Sequence, residues 1–76
     1  MKTSTCKVVF IVYGILDNVF QGIKDVRYTQ EDAITAGIKW VMRQAPSPNV
    51  RLSICSEGVE TQDGLIMARV EKRLAR

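Results

Sequence analysis

The segment from Cys6 to Tyr28 places the strongest constraint on how this chain can fold. Fourteen of its twenty-three residues are apolar, and the polar pair Asp17-Asn18 interrupts them near the middle. Aspartate and asparagine tolerate a positive φ, so this pair can form a two-residue hairpin turn. The pattern therefore predicts two antiparallel strands, one from Val8 to Leu16 and the other from Val19 to Tyr28.

The composition of these strands indicates where the core should lie. β-Branched and aromatic residues occupy both faces of the first strand, as is typical of a central strand covered on both sides. Three aromatic residues are expected in the core, namely Phe10, Tyr13 and Phe20. Gly22 is expected to mark a bulge in the second strand. The alternative is a short helix from Ile15 to Ile23, because apolar residues also recur there at helical spacing.

The start of the chain shares some features with a secretory signal peptide. Lys2 and Lys7 precede the apolar run or lie at its start, but no small-x-small cleavage site follows it. The run is also shorter than the roughly 20 residues that a membrane-spanning helix needs. The expectation is a buried strand in a cytoplasmic protein that has no membrane segment.

The clearest helix is predicted from Thr29 to Gln44. Thr29 is a suitable N-cap, and the two acidic residues that follow favour the positive end of the helix dipole. Beside the apolar face, the small residues Ala33 and Gly37 would let the helix lie close to a sheet. Two prolines soon after Gln44 end the helix. The apolar face itself consists of Ile34, Ile38, Val41 and Met42.

The remainder of the chain holds one clear strand and one ambiguous segment. Val50 to Ser56 alternates, which predicts a strand with one buried face. That face would carry Val50, Leu52 and Ile54. Gly58 is expected to serve a turn between two solvated glutamates. Asp63-Gly64 suits a hairpin turn that leads into a strand, yet residues 65–76 are rich in helix formers, so strand and helix both stay open there.

These segments together predict a single α+β domain over residues 1–76. A small antiparallel sheet, made of the N-terminal hairpin and a third strand, would pack on one main helix, with a C-terminal strand or helix beside it. A chain of this length buries only about 60% of its unfolded surface. Pairing with a second copy, as a homodimer, would therefore add stability.

The sequence lacks the residues that most catalytic and metal sites use. Histidine is absent, which removes the commonest general base and metal ligand at neutral pH. The two cysteines, Cys6 and Cys55, are interpreted as small buried or half-buried thiols in a reducing cytosol. No nucleophile–base pair and no glycine-rich phosphate loop is evident. We therefore expect no enzyme activity, no cofactor and no metal site.

Two groups of residues are candidates for contact with a partner. The net charge of +3 permits an acidic partner or nucleic acid without requiring either. A protein-binding surface is predicted on the exposed side of the helix and the edge of the next strand, at Lys39, Trp40, Arg43 and Arg51. If residues 65–76 are helical, four cations would line one stripe able to contact phosphates, namely Arg69, Lys72, Arg73 and Arg76. The competing interpretations are a tryptophan packed over the rim of the sheet and a solvated basic helix face.

The order of the elements carries a family resemblance. A hairpin, a helix with Ala33, Ala36 and Met42, and then Ser47-Pro48-Asn49 leading into a strand resembles some very small phage-encoded proteins, among them anti-CRISPR proteins. The resemblance implies a non-catalytic inhibitor that acts in the host cytoplasm and blocks a bacterial defence complex by direct binding. Many such inhibitors are acidic, so a basic one would need an acidic protein surface or a nucleoprotein complex as its target.

No functional residues carry over from this resemblance, because these proteins share no common site motif. The expected function is thus a protein-interaction module of inhibitor type. The alternatives are a basic nucleic-acid-binding domain and a structural homo-oligomer that completes its core across a two-fold axis.

Overall fold

The N-terminal hairpin forms as predicted. The computed structural model describes residues 7–45 and 49–75, and in it strand β1 (Lys7–Leu16) pairs antiparallel with strand β2 (Val19–Arg27). Asp17 and Asn18 connect the two strands with φ angles of 55° and 66°. The tightest hairpin turn requires two successive positive φ values, and the Asp-Asn pair supplies both, as predicted. The helical alternative for Ile15 to Ile23 is wrong.

Strand β2 is irregular where the sequence indicated a bulge. The pairing shifts between Val12 and Tyr13 and again between Gly14 and Ile15, so β2 carries two extra residues, Lys24 and Gln21. Gly22 lies between them with a φ of 88°, which a glycine adopts without strain. The bulges twist this edge strand and make it a poor template for pairing with another chain.

Helix α1 (Gln30–Gln44) follows the hairpin and matches its predicted bounds. The Thr29 side chain accepts a hydrogen bond of 3.1 Å from the backbone N–H of Asp32, so Thr29 is the N-cap that the sequence predicted. At the other end, the Ala45 N–H donates to the Val41 carbonyl at 3.0 Å. The proline segment that was expected to end the helix begins directly after Ala45 and lies outside the described residues.

The sheet is larger than the sequence predicted. Strands β3 (Leu52–Cys55), β4 (Gly58–Thr61) and β5 (Ile66–Ala75) follow the helix, and the five strands lie in the order β2-β1-β5-β4-β3 with every neighbouring pair antiparallel. The α+β class is confirmed, and the C-terminal segment is a strand. Its helix formers are overridden because β5 pairs with β1 along its whole length, from Ile66 to Ala75.

Strand β4 replaces the turn and solvated loop expected around Gly58. Val59 and Thr61 are buried and Glu60 between them is exposed, which is the alternation of a strand. Gly58, at the start of this short strand, is also buried. The predicted Asp63-Gly64 turn folds β4 back onto β5, and Asp63 stabilises it by accepting from the Thr61 hydroxyl at 2.6 Å and the Leu65 N–H at 3.0 Å.

The core lies on one side of the sheet, where α1 packs. Small residues let the helix lie close to the sheet, as was predicted from Ala33 and Gly37. A Cβ added at Gly37 would lie 3.1 Å from the Ala68 Cβ. Trp40 packs over Gly14, where an added Cβ would lie 2.7 Å from the indole. The buried apolar residues are Val12, Ala33, Val41, Val59, Ile66 and Ala68.

Three expectations about burial are wrong because one helix covers only part of one face. Strand β1 is not covered on both sides within the described residues, since its alternate residues on the face away from α1 are only half-buried. The strand predicted from Val50 to Ser56 is shorter, and its predicted face is only partly buried: Leu52 packs against the core, whereas Ile54 is 56% exposed at the sheet edge. Met42, expected on the apolar side of the helix, is exposed.

The contact between Gly14 and Trp40 gives a stability prediction. Gly14→Ala places a methyl group against the indole, and overpacking of this kind costs about 1–3 kcal/mol of unfolding free energy. In a Trp40→Leu background the same substitution should cost clearly less, because the clashing ring is gone. Urea unfolding of the four proteins in this cycle measures the coupling. Equal costs of Gly14→Ala in both backgrounds would contradict the close approach.

Candidate functional site

The face of the sheet opposite α1 carries a row of apolar side chains, and no other element among the described residues covers it. Val12 points into the core, so its neighbours Ile11 and Tyr13 lie on the other face. Residues directly opposite each other in an antiparallel pair share a face, which places their partners Val26 and Ile23 there too. Ile15 and its partner Phe20 complete the group. We call this surface the open face, formed by Ile11, Tyr13, Ile15, Phe20, Ile23 and Val26.

The β2 side of the open face is strongly exposed. Phe20, Ile23 and Val26 are 62%, 58% and 47% accessible to solvent. The rings of Tyr13 and Phe20 lie with their centroids 5.5 Å apart, tilted by 42°, in the range that aromatic pairs favour. The exposed side chains therefore form a continuous surface across two strands, unlike the scattered apolar residues common on soluble proteins.

Charged residues of β5 border the open face. Arg69 lies opposite Tyr13, Glu71 opposite Ile11 and Arg73 opposite Val9, so all three share that face. Arg73 Nε donates to Glu71 Oε2 at 3.1 Å. Arg69 makes no ion pair with another described residue, which leaves one guanidinium available beside the aromatic pair.

Glu71 couples this charged row to the aromatic residues. The Glu71 carboxylate accepts hydrogen bonds from Arg73 and from the Tyr13 phenol. Both bonds lower the pKa of Glu71, and the bond from Arg73 has the larger effect. The same contact raises the pKa of the Tyr13 phenol, because the phenol loses its hydrogen bond and gains a repulsive neighbour when it ionises. The border is therefore held to the apolar surface by specific polar contacts.

The fold places the residues predicted for protein binding in different environments. Lys39 and Arg43 are exposed on the helix, whereas Trp40 is half-buried between the helix and the sheet. The Lys24 Nζ lies 5.8 Å from the centre of the Trp40 ring, which covers the indole further. Arg51 is exposed just before β3, and its carbonyl accepts from the Gln62 N–H at 3.2 Å.

The basic stripe predicted for nucleic acid does not form. The strand period sends Arg69 and Arg73 to the open face and Lys72 to the opposite one, so the three do not share a side. Arg76 lies outside the described residues. The stripe was expected because helical spacing would align the four cations, and pairing with β1 removes that spacing.

Sequence reasoning placed the open-face aromatics in the core. Phe20 was expected to be buried and is instead one of the most exposed large residues. Tyr13 is half-buried at the border of the surface. Alternation in β2 is obscured by its two bulges, and no local pattern states which side of a sheet a helix will cover. Cys55, expected to be at least half-buried, is exposed, and Cys6 lies outside the described residues.

Among residues 7–45 and 49–75, no three His, Cys, Asp or Glu side chains gather to hold a metal ion. No helix in that part of the chain has both the length and the apolar character needed to cross a bilayer. Comparison with protein-family models, curated proteins and solved structures finds no match to this chain.

The link between Glu71 and Tyr13 can be tested by titration. In a Tyr28→Phe background Tyr13 is the only tyrosine left, so its ionisation can be followed alone. The pKa of its phenol should lie above the ordinary tyrosine value. Glu71→Gln should lower that pKa towards the ordinary value, because an uncharged side chain neither repels the phenolate nor holds the phenol proton as strongly. Ultraviolet absorbance against pH measures the change. An identical titration with and without Glu71 would contradict the contact.

Proposed function

We propose that this chain is a non-catalytic protein-interaction module that binds its partner through the open face. The observation that carries the proposal is the exposure of Phe20, Ile23 and Val26, which follow one another along one face of strand β2. A continuous exposed apolar surface with a polar border is the arrangement found at protein-binding sites. Aromatic and arginine side chains, which dominate binding energy at such sites, meet here at Tyr13, Phe20 and Arg69.

The charge of the border supports a partner with an acidic surface. Arg69 has no ion-pair partner among the described residues, and the whole chain carries a net charge of +3. Complementary charge around an apolar centre speeds encounter and fixes orientation. An acidic protein or a nucleoprotein complex therefore suits this surface better than a basic one.

A role as a small phage-type inhibitor is the specific form of this proposal. It is supported by the resemblance in layout to anti-CRISPR proteins and by the argument that a basic inhibitor needs an acidic or nucleoprotein target. An inhibitor of this type needs only a stable docking surface, because it acts by occupying its target. The open face would supply that surface in the host cytoplasm.

Substitution of the open face tests the proposal. Phe20→Ser with Ile23→Ser should change the unfolding free energy by no more than about 1 kcal/mol, because both side chains are exposed. Loss of two central apolar side chains should weaken partner binding by more than about 2 kcal/mol, roughly thirtyfold. Quantitative pull-down from bacterial lysate, followed by titration calorimetry with the recovered protein, measures both effects.

Two matched controls locate the surface. Tyr28→Ser removes an aromatic residue that is more exposed than Phe20 and lies between β2 and α1, and it should leave binding unchanged. Lys39→Glu with Arg43→Glu alters the helix surface that the sequence suggested. If the helix variant loses the partner and the Phe20/Ile23 variant keeps it, the open face is not the docking surface.

Nucleic-acid binding on the same face is the second candidate function. The observation that favours it is the pairing of Arg69 with Tyr13, next to Phe20, since bases stack on aromatic rings while cations hold phosphates. Glu71, in the same row, opposes it by repelling phosphate.

Salt dependence separates the two functions. Binding of single-stranded nucleic acid should weaken steeply as salt increases, and Arg69→Ala should reduce that slope by about one phosphate contact. Fluorescence anisotropy with a labelled oligonucleotide gives the slope. Absence of binding at low salt would exclude this second function and leave the protein-binding proposal intact.

A further inference from the structure

The two edges of the sheet differ in how well they are protected. Strand β2 carries two bulges, whereas β3, at the opposite edge, pairs with β4 in an unbroken register from Leu52 to Cys55. Within residues 7–45 and 49–75, no strand pairs with the outer side of β3. Proteins usually blunt such an edge with a charge, a proline or a bulge, and the residues Leu52–Cys55 include none of these. The β3 edge is therefore open to a further strand.

The backbone of β3 presents two residues outward. The Arg51 carbonyl accepts from the Gln62 N–H, so Arg51 points inward, along the ladder that joins β3 to β4. In a strand, the N–H and C=O of one residue point to the same side, and successive residues alternate. Leu52 and Ile54 therefore direct their N–H and C=O groups away from β4. An added strand would pair with two donors and two acceptors.

The side chains of the same two residues lie on the helix side of the sheet. Ile54 is opposite Val59 and Leu52 is opposite Thr61, and both of these β4 residues are buried. Helix α1 packs on β1, β2, β4 and β5. Ile54 lies at the limit of this cover and stays 56% exposed. An apolar side chain on an added strand would shield it.

A second copy of β3 is complementary to this edge. When two β3 strands pair antiparallel about a two-fold axis at Ser53, Leu52 of one copy lies opposite Ile54 of the other. The two Ser53 side chains face each other on the other side of the sheet, where their hydroxyls can share a hydrogen bond. In this register both outward residues of each β3 pair with those of the second copy.

The charges near the edge are compatible with this register. Arg51 lies opposite Cys55 of the other copy, four residues or about 13 Å from its own counterpart. Glu60 lies opposite Ser53 on β4, so its counterpart is three strand spacings or about 14 Å away. Both distances exceed the Debye length of about 8 Å at physiological salt. A charged partner strand, by contrast, would find no opposite charge within Leu52–Cys55.

We propose that two copies of this chain pair through their β3 edges, antiparallel about Ser53, to form one continuous ten-stranded sheet. The shared edge is four residues or about 13 Å long, so the buried area is below the roughly 1,000 Å² of a stable interface. The dimer should therefore form reversibly. The interface does not use the apolar residues of the open face, so it goes beyond the proposed function and does not depend on it.

Cross-linking at the two-fold axis tests the register. Residue 53 and its counterpart form a non-hydrogen-bonded pair with Cα atoms about 4.5 Å apart, within the range of a disulfide. Ser53→Cys in a Cys6→Ser/Cys55→Ser background should therefore form a covalent dimer under mild oxidation. The matched control carries Cys6→Ser alone, and its two Cys55 residues would lie about 13 Å apart. It should cross-link at least about tenfold more slowly on non-reducing gels.

A charge on the edge tests the interface without cross-linking. Ile54→Lys should raise the dissociation constant of the dimer at least about tenfold, because two apolar cross-strand pairs are lost. Val19→Lys is the matched control, since Val19 is 58% exposed on β2 at the other edge, and it should leave association unchanged. Sedimentation equilibrium over a range of protein concentrations measures both constants, and circular dichroism checks the fold. If Ile54→Lys does not fold, the cross-linking result decides.

Several results would overturn the proposal. They are a monomeric mass at every concentration, equal cross-linking rates for Ser53→Cys and its control, and unchanged association of folded Ile54→Lys. The Phe20→Ser/Ile23→Ser protein should dimerise like the unsubstituted protein, and loss of its dimer would place self-association at the open face instead. Because that variant is measured for both partner binding and dimerisation, failure of the β3 interface is distinguished from failure of the open face as a docking surface.

Discussion

The close approach of α1 to the sheet is the interaction on which the rest of this structure depends. Gly37 against Ala68 and Trp40 against Gly14 let the helix settle directly on the central strands. A helix with its side chains is about 10 Å wide, whereas five strands span roughly 20 Å. A single helix therefore cannot reach both edges of this sheet, and it shields none of the opposite face. The exposed apolar surface and the exposed β3 edge both follow from that mismatch.

Strand β5 supplies the polar border of the open face. Its alternate side chains Arg69, Glu71 and Arg73 lie on that side of the sheet. Two of these three side chains are cations, so the border suits an acidic partner. The contact between the Glu71 carboxylate and the Tyr13 phenol links this border to the aromatic pair.

The elements predicted correctly are those whose signals are local. Asp17-Asn18 specifies a tight turn by its own φ preferences, and Thr29 caps the helix through its own hydroxyl. The C-terminal segment was ambiguous because its helix propensity is opposed by a partner strand more than fifty residues away. Phe20 was misplaced because alternation reveals that a strand has two faces but not which one a helix will cover. Tertiary packing determines which face the helix covers, and this determines where the candidate site lies.

Among the described residues, one face of the sheet is covered by α1 and the other is not. Paramagnetic relaxation of side-chain methyl groups by a soluble gadolinium chelate measures this directly in solution. The methyls of Ile23 and Val26 should relax strongly, while those of Val12, Val41 and Val59, which are buried between the helix and the sheet, should be protected. Protection of Ile23 and Val26 equal to that of Val12 would show that the open face is covered, and would contradict the account.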